Sequence, residues 1–235
     1  MDKPVSEEVL RRGHELMKEV SEGPDDGKAS NSLLDQFFRG FPICFLSELL
    51  RHPKEQVIAS ALFIADELGT RGAPVLDDVI AHTAHSNPRI RRSARGAISC
   101  LCGGDAIAYL HVCRGVFDPD LHCRRLAMLL MMRATDARLS DCLRATGDAT
   151  ADRELRDGLA MLLGESSRDP LAVQAWLLDQ NPLIRRFGLI AAGRLFQSHP
   201  HLLDTAAKSC DEEVATCAAG QKEFIEILQR RRNRT

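Results

Sequence analysis

The sequence predicts an all-α chain: about six helical hairpins in series, preceded by an N-terminal capping helix. The first sign is a repeated stretch, because NPRIRRSARGAISCL at 87–101 and NPLIRRFGLIAAGRL at 181–195 place a turn, an Arg pair, a small residue and aliphatics alike. Weaker echoes stand at 52–68, 118–132, 152–163 and 211–228. The second sign is spacing. Aligned on their first core position, Val57, Ile90, Cys123, Leu155, Ile184 and Val214, the units follow one another at 33, 33, 32, 29 and 30 residues. The third is that no stretch sustains the period-2 alternation of a strand, and Pro53, Pro88, Pro119 and Pro182 sit where a first helical turn tolerates them.

Taken in order, Val5 to Val20 puts Val9, Leu10, Gly13, Leu16, Met17 and Val20 on one stripe of a 3.6-residue period, with Glu7 and Glu8 in its first turn. This predicts the capping helix. EGPDDGKASN at 22–31 collects Gly, Pro, Asp and Ser and reads as a linker, so residues 1–31 form a cap and linker. The repeat domain is expected over 32–229. Its second helices carry small residues four past the anchor, Ala61, Ala94, Ala127, Gly188 and Ala218, as a close helix crossing needs. Shorter amphipathic segments at 43–51, 74–84, 105–115, 136–146, 171–178 and 201–209 supply the first helix of each hairpin. A hairpin of roughly 30 residues cannot bury its apolar face alone, so neighbours must stack. Residues 230–235 form a basic tail with Arg230, Arg231, Arg232 and Arg234.

Composition bounds the function. Hydrophobic content of 44% with 27% charge gives a globular chain with ample core, and a formal charge of −2 provides no global field for nucleic acid or an anionic membrane. No run of about 18 apolar residues is present, and the start MDKPVSEEVLRRGHE is too polar for a secretory signal, so a cytoplasmic location is expected. The eight cysteines lie mostly within apolar helical runs and are expected to stay reduced.

The pattern resembles HEAT repeats, whose second helix opens with an Asp, a short turn, a Val-Arg pair and a small residue. Here the Arg after the anchor recurs as Arg91, Arg124, Arg156 and Arg185, and the Asp five before it as Asp118 and Asp179. His52 and His85 replace the Asp, and Ile58 and Ala215 depart from the Arg. The resemblance covers about Phe41 to Leu228 and implies a right-handed α-solenoid of HEAT-like hairpins. It also implies that the Arg column forms a ladder between repeats.

Arg92, Arg125 and Arg186, two past the anchor, lie about 200° round the helix from it and so face away from the core. In a solenoid this is the concave surface, which makes them candidate protein-binding residues, against a reading as solvated charge. The second helices are also more apolar than one buried face requires, with Met128, Leu129, Met131 and Met132 in one of them. Either the superhelix is tight and closed, or its groove is apolar and awaits a partner; in the second case Met128 and Met132 are anchors. Asp66 and Glu67 then place negative charge at one end of the groove.

Chemistry finds less support. Cys100, Cys102, His111, Cys113, His122 and Cys123 cluster in sequence, but C-x-C, H-x-C and HC match no zinc pattern, so no metal is expected. No nucleophile elbow or phosphate loop is present, and neither a cofactor nor a catalytic residue is expected. HEAT-like alkylpurine DNA glycosylases use Trp, Asp and Arg in their groove, and Trp176, Asp179, Arg185 and Arg186 are the matching set. The resulting expectation is a non-catalytic solenoid that binds a protein partner in its concave groove. Small bacterial HEAT-like immunity proteins, which occlude a cognate toxin, are resembled by FIADELG at 63–69, Pro74 and NPLIRRF. A scaffold or adaptor is the alternative, and a glycosylase the alternative of another class. The sequence leaves the oligomeric state open.

Overall fold

A computed structural model of the chain describes residues 5–23, 27–147 and 150–232, and all regular structure among them is helical. The contacts group into two compact units, Met1–Val112 and Cys113–Thr235.

In the first unit, helix α1 (Glu7–Glu22) begins where the Ser6 hydroxyl accepts from the Val9 N–H at 3.3 Å. It packs against α2 (Lys28–Phe38), so α1 is half of a hairpin rather than a lone cap. The expected linker is correspondingly shorter. Its Pro24, Asp25 and Asp26 lie outside the described residues, Gly27 adopts φ 72, and Lys28–Asn31 already belong to α2. The helical stripe of α2 is Ser30, Leu33, Leu34 and Phe37, all buried, and its first member is polar, which hid it from a search for apolar periodicity. Next come α3 (Cys44–Leu50) with α4 (Glu55–Leu68), α5 (Leu76–Ala81) with α6 (Pro88–Leu101), and then α7 (Ala106–Cys113).

The second unit holds α8 (Leu121–Arg133), α9 (Asp136–Ala145), α10 (Thr150–Leu163), α11 (Pro170–Leu177), α12 (Pro182–Arg194), α13 (His201–Ala207) and α14 (Glu212–Arg232). Five of the six predicted hairpins are present as packed helix pairs, α3–α4, α5–α6, α9–α10, α11–α12 and α13–α14. Helix α14 runs on through Arg232, into the segment expected as a tail. Of that segment, Arg230 pairs with Glu226 at 3.6 Å, while the side chains of Arg231, Arg232 and Arg234 lie outside the described residues.

Three recurring devices fix the entry to the second helices. Five residues before the anchor, a side chain accepts from the backbone N–H two residues on: His52, His85, Asp118, Asp179 and Ser209 do so at 2.7–3.2 Å. His can replace Asp here because Nδ1 is an acceptor as well. The N-cap follows, with Asn87, Asp120, Asn181 and Asp211 each accepting from a first-turn N–H. Then the Arg after the anchor folds back over the turn. Arg91 donates to the carbonyls of His85 and Ser86, Arg124 to Asp118 and Pro119, and Arg185 to Asp179 and Gln180, all at 2.8–2.9 Å. Arg156 does the same to Thr146 and Gly147. The column thus closes its own turns first; Arg185 also donates to Asp211 of the next hairpin, the ladder contact expected from the resemblance.

Five of the six anchors are buried to within 2% exposure, and Ile184 is only half-buried. Phe187 takes over there. Its ring lies over Gly158 of α10, where a Cβ would collide with it, so α12 approaches α10 closely. In the second unit α12 packs on α8, α10, α11, α13 and α14, and Phe187 to Ala192 are buried without interruption. It is the central helix of a closed bundle.

Candidate protein-binding surface

In the first unit, the outward faces of α2, α4 and α6 remain accessible. Along α4, Gln56, Ala59, Phe63 and Glu67 are exposed at helical spacing; along α6, Arg89, Arg92 and Cys100 are; along α2, Asn31, Asp35 and Phe38 are. The three stripes adjoin. Gly27, Ser30 and Asn31 line a shallow groove of about 310 Å³ together with Ala59, Ser60 and Phe63. At the other edge of α4, Asp66 lies against Cys100 of α6, whose thiol is pushed up to about 11 by burial and then by that carboxylate. The apolar content is aromatic: Phe63 is 38% and Phe38 46% exposed, and the Arg71 guanidinium stands 5.5 Å from the Phe38 ring centre.

Of the candidate residues from sequence, Arg92, Asp66 and Glu67 fall on this surface, with Arg92 and Glu67 exposed and Asp66 half-buried. The others are corrected. Met128 is fully buried and Met132 nearly so, because α8 packs directly on α12 in the second unit. Gly193 of α12 makes room for Met132, since a Cβ there would stand 2.6 Å from its sulfur. The apolar second face that suggested an open groove is covered by another helix of the chain, the alternative that a helix apolar all round also allows.

Arg186 is drawn inward too. Its side chain is 19% exposed, and it donates to the Val116 carbonyl at 3.1 Å and to Glu213 at 3.2 Å. Glu213 accepts at the same time from Nε and Nη2 of Arg124 at 2.8 and 2.9 Å. Arg125 is half-buried beside Cys217, and its Nε is buried without a hydrogen-bond partner among the described residues. Arg125 and Arg186 are therefore not rim charges. Arg186 belongs, with Arg124, to an ionic cluster where the N-terminal turns of α8, α12 and α14 meet, and the carboxylate of that cluster is Glu213. No local signal marks it, as it lies 89 residues from Arg124.

The residues considered for chemistry are also committed. Asp179 caps its turn, Arg185 is held by Asp211, and the Trp176 backbone and Cβ press on Gly188. Burial pushes Asp211 up, but Arg185 and the N–H of Val214 outweigh it and leave the carboxyl below its ordinary value. Three members of the set that resembles a glycosylase site, Asp179, Arg185 and Arg186, thus carry hydrogen bonds within the fold. Cys113 and Cys142 are buried against each other, and Cys123 fills its core position. Among the described residues, no three His, Cys, Asp or Glu side chains converge as metal ligands. A second cleft, about 600 Å³, opens between α11 and α13, bordered by Leu177, Leu178, His201, Lys208 and Cys210. The Asp204 carboxylate at its wall is taken by Lys222.

No protein-family model matches the chain, and no curated protein does. Among solved structures, the chain is similar to a designed armadillo repeat protein, at 13% identity and a TM-score of 0.43, over 94% of this chain and 95% of that one. It is also similar to a computationally designed armadillo repeat protein for modular peptide recognition, at 13% identity and a TM-score of 0.40, over 92% and 98%. Scores this low add nothing to what the helices show directly. Among the described residues, no helix is long and apolar enough to cross a membrane.

Proposed function

We propose that this chain is a non-catalytic, HEAT-like protein-binding module that engages a partner protein through the α2–α4–α6 face of its first unit. The observation that carries the reading is the contrast between the units. In the first unit two aromatic rings, Phe38 and Phe63, stand exposed on neighbouring helices among charges of both signs, whereas in the second α8 and α12 cover each other's apolar faces and the exposed Phe224 and Ile227 lie together on α14 alone. An apolar anchor with a charged surround is how protein interfaces divide affinity from association rate. In its finer form the reading is an immunity-type inhibitor that binds a cognate toxin in the cytoplasm. That form is supported by the sequence resemblance and by a cysteine content used as free thiols.

The test is affinity capture from native lysate with the wild-type chain, Phe63→Asp, and Leu178→Asp as a surface control in the second unit. A partner retained by wild type and by Leu178→Asp but lost with Phe63→Asp supports the reading. Equal capture by all three overturns this face as the site. An immunity role further requires that the captured protein lose a toxic activity at one-to-one stoichiometry, while a scaffold brings down several partners together.

A further inference from the structure

We infer that His52 and His85 make the first unit, and not the second, responsive to mild acid, because the turns that start α4 and α6 are held by imidazoles that stop accepting once protonated. The observation is a substitution within one recurring device. His52 Nδ1 accepts from the Lys54 N–H at 3.1 Å and His85 Nδ1 from the Asn87 N–H at 3.0 Å, whereas Asp118, Asp179 and Ser209 make the same bond through oxygen. Histidine is the side chain that ordinarily changes charge between about pH 5 and 8. Imidazolium carries a hydrogen on both nitrogens and accepts nothing, while a carboxylate or hydroxyl goes on accepting. The bond therefore belongs to the neutral ring alone, and the stability it contributes is present above this range and lost as the pH falls through it.

The two turns are joined. Asn87, whose N–H is held by His85, is the N-cap of α6, and its Nδ2 donates to Glu55 in the first turn of α4 at 2.6 Å. Releasing Asn87 thus frees a cap and an inter-helix link together. The charged neighbours supply no replacement acceptor. Beside His52, Arg51 pairs with Asp78 of α5 at 2.8 Å, and Lys54 donates to the Ser21 carbonyl at the end of α1, where Glu22 pairs with Lys18. Beside His85, Arg91 donates to the His85 and Ser86 carbonyls and Arg95 to that of Thr83. The His82 ring lies 5.9 Å from that of His85 and donates from Nε2 to the Leu50 carbonyl, a role that protonation leaves intact. The cations can only donate, and the carboxylates Asp78, Glu22 and Glu55 are each engaged elsewhere.

Amide exchange read residue by residue by NMR, at about pH 7.5 and about pH 5 with each rate divided by its intrinsic value, is the test. In wild type the amides of Lys54 and Asn87 should lose protection about five- to ten-fold in acid, the worth of one hydrogen bond each, and the first turns of α4 and α6 should loosen with them. Asp120 and Asn181, whose N–H groups are held by Asp118 and Asp179, should keep theirs. His52→Asp and His85→Asp install the acceptor of the second unit, so the first should restore acid protection at Lys54 and the second at Asn87. Two separate local rescues keep the result independent of the overall stability of either variant. Unchanged protection at Lys54 and Asn87 in wild type overturns the inference, as does an equal loss at all four amides or a loss that persists in both variants.

Discussion

Cys100 and Asp66 show at the residue scale how a position becomes legible only with its neighbour. Both were visible in the sequence, one as a possible metal ligand and the other as a charge at a helix end, yet their contact joins residues 34 positions apart. With its thiol pushed up to about 11 from an ordinary value near 9, Cys100 holds about two orders of magnitude less thiolate at neutral pH than a free cysteine. Despite its exposure, it should therefore alkylate much more slowly in the native protein than in urea, and its rate should climb with pH until the thiol ionises. Asp66→Asn removes the negative charge that favours the protonated thiol and leaves only a weaker, neutral acceptor, so the native rate should rise. Peptide-resolved mass spectrometry of a timed alkylation measures this, and a native rate for Cys100 equal to its urea rate would show that the thiol does not face Asp66. Arg186 and Glu213 are the opposite case, since an Arg two past an anchor carries no sign of whether a carboxylate will arrive from the far end of the chain.

At the scale of the element, each second helix is set by short-range chemistry: an acceptor at the turn, an N-cap, an Arg folded back on two carbonyls and a small residue where helices cross. This is why their positions followed from spacing alone. Ala94 is fully buried and Arg92 exposed on one helix, so Ala94→Leu should overpack the crossing of α4 and α6 and cost about 1–3 kcal/mol, whereas Arg92→Ala should cost less than about 0.5 kcal/mol. Chemical denaturation of both variants measures the contrast, and the reverse ranking would place α6 in another register. Helix α2 escaped notice because its stripe starts at Ser30 and its first turn shares the composition of a loop. Local composition misled there because burial, a tertiary quantity, decides whether a Ser lies in a helix.

At the scale of the whole molecule, the decisive event is inside the second unit, where α12 settles on α8 and converts Met128 and Met132 from prospective anchors into core. Met128→Asp should consequently unfold the second unit instead of trimming an interface, because an unpaired carboxylate in a site with no exposure costs several kcal/mol. Loss of cooperative thermal unfolding in that variant is the expected outcome; a folded Met128→Asp protein would reopen the groove as a binding surface. What the sequence by itself determined was most of what has a period: the all-helical class, the second helices of the repeats, five of their six anchors and the turns that start them, since 3.6-residue patterning and capping are read within a few residues. What only the tertiary structure decided was which apolar faces meet each other and which meet solvent. The pairing of α8 with α12, like that of Arg124 with Glu213, depends on contacts between segments tens of residues apart, and a helix apolar on two sides has the same sequence whether its second side is covered by its own chain or left for another.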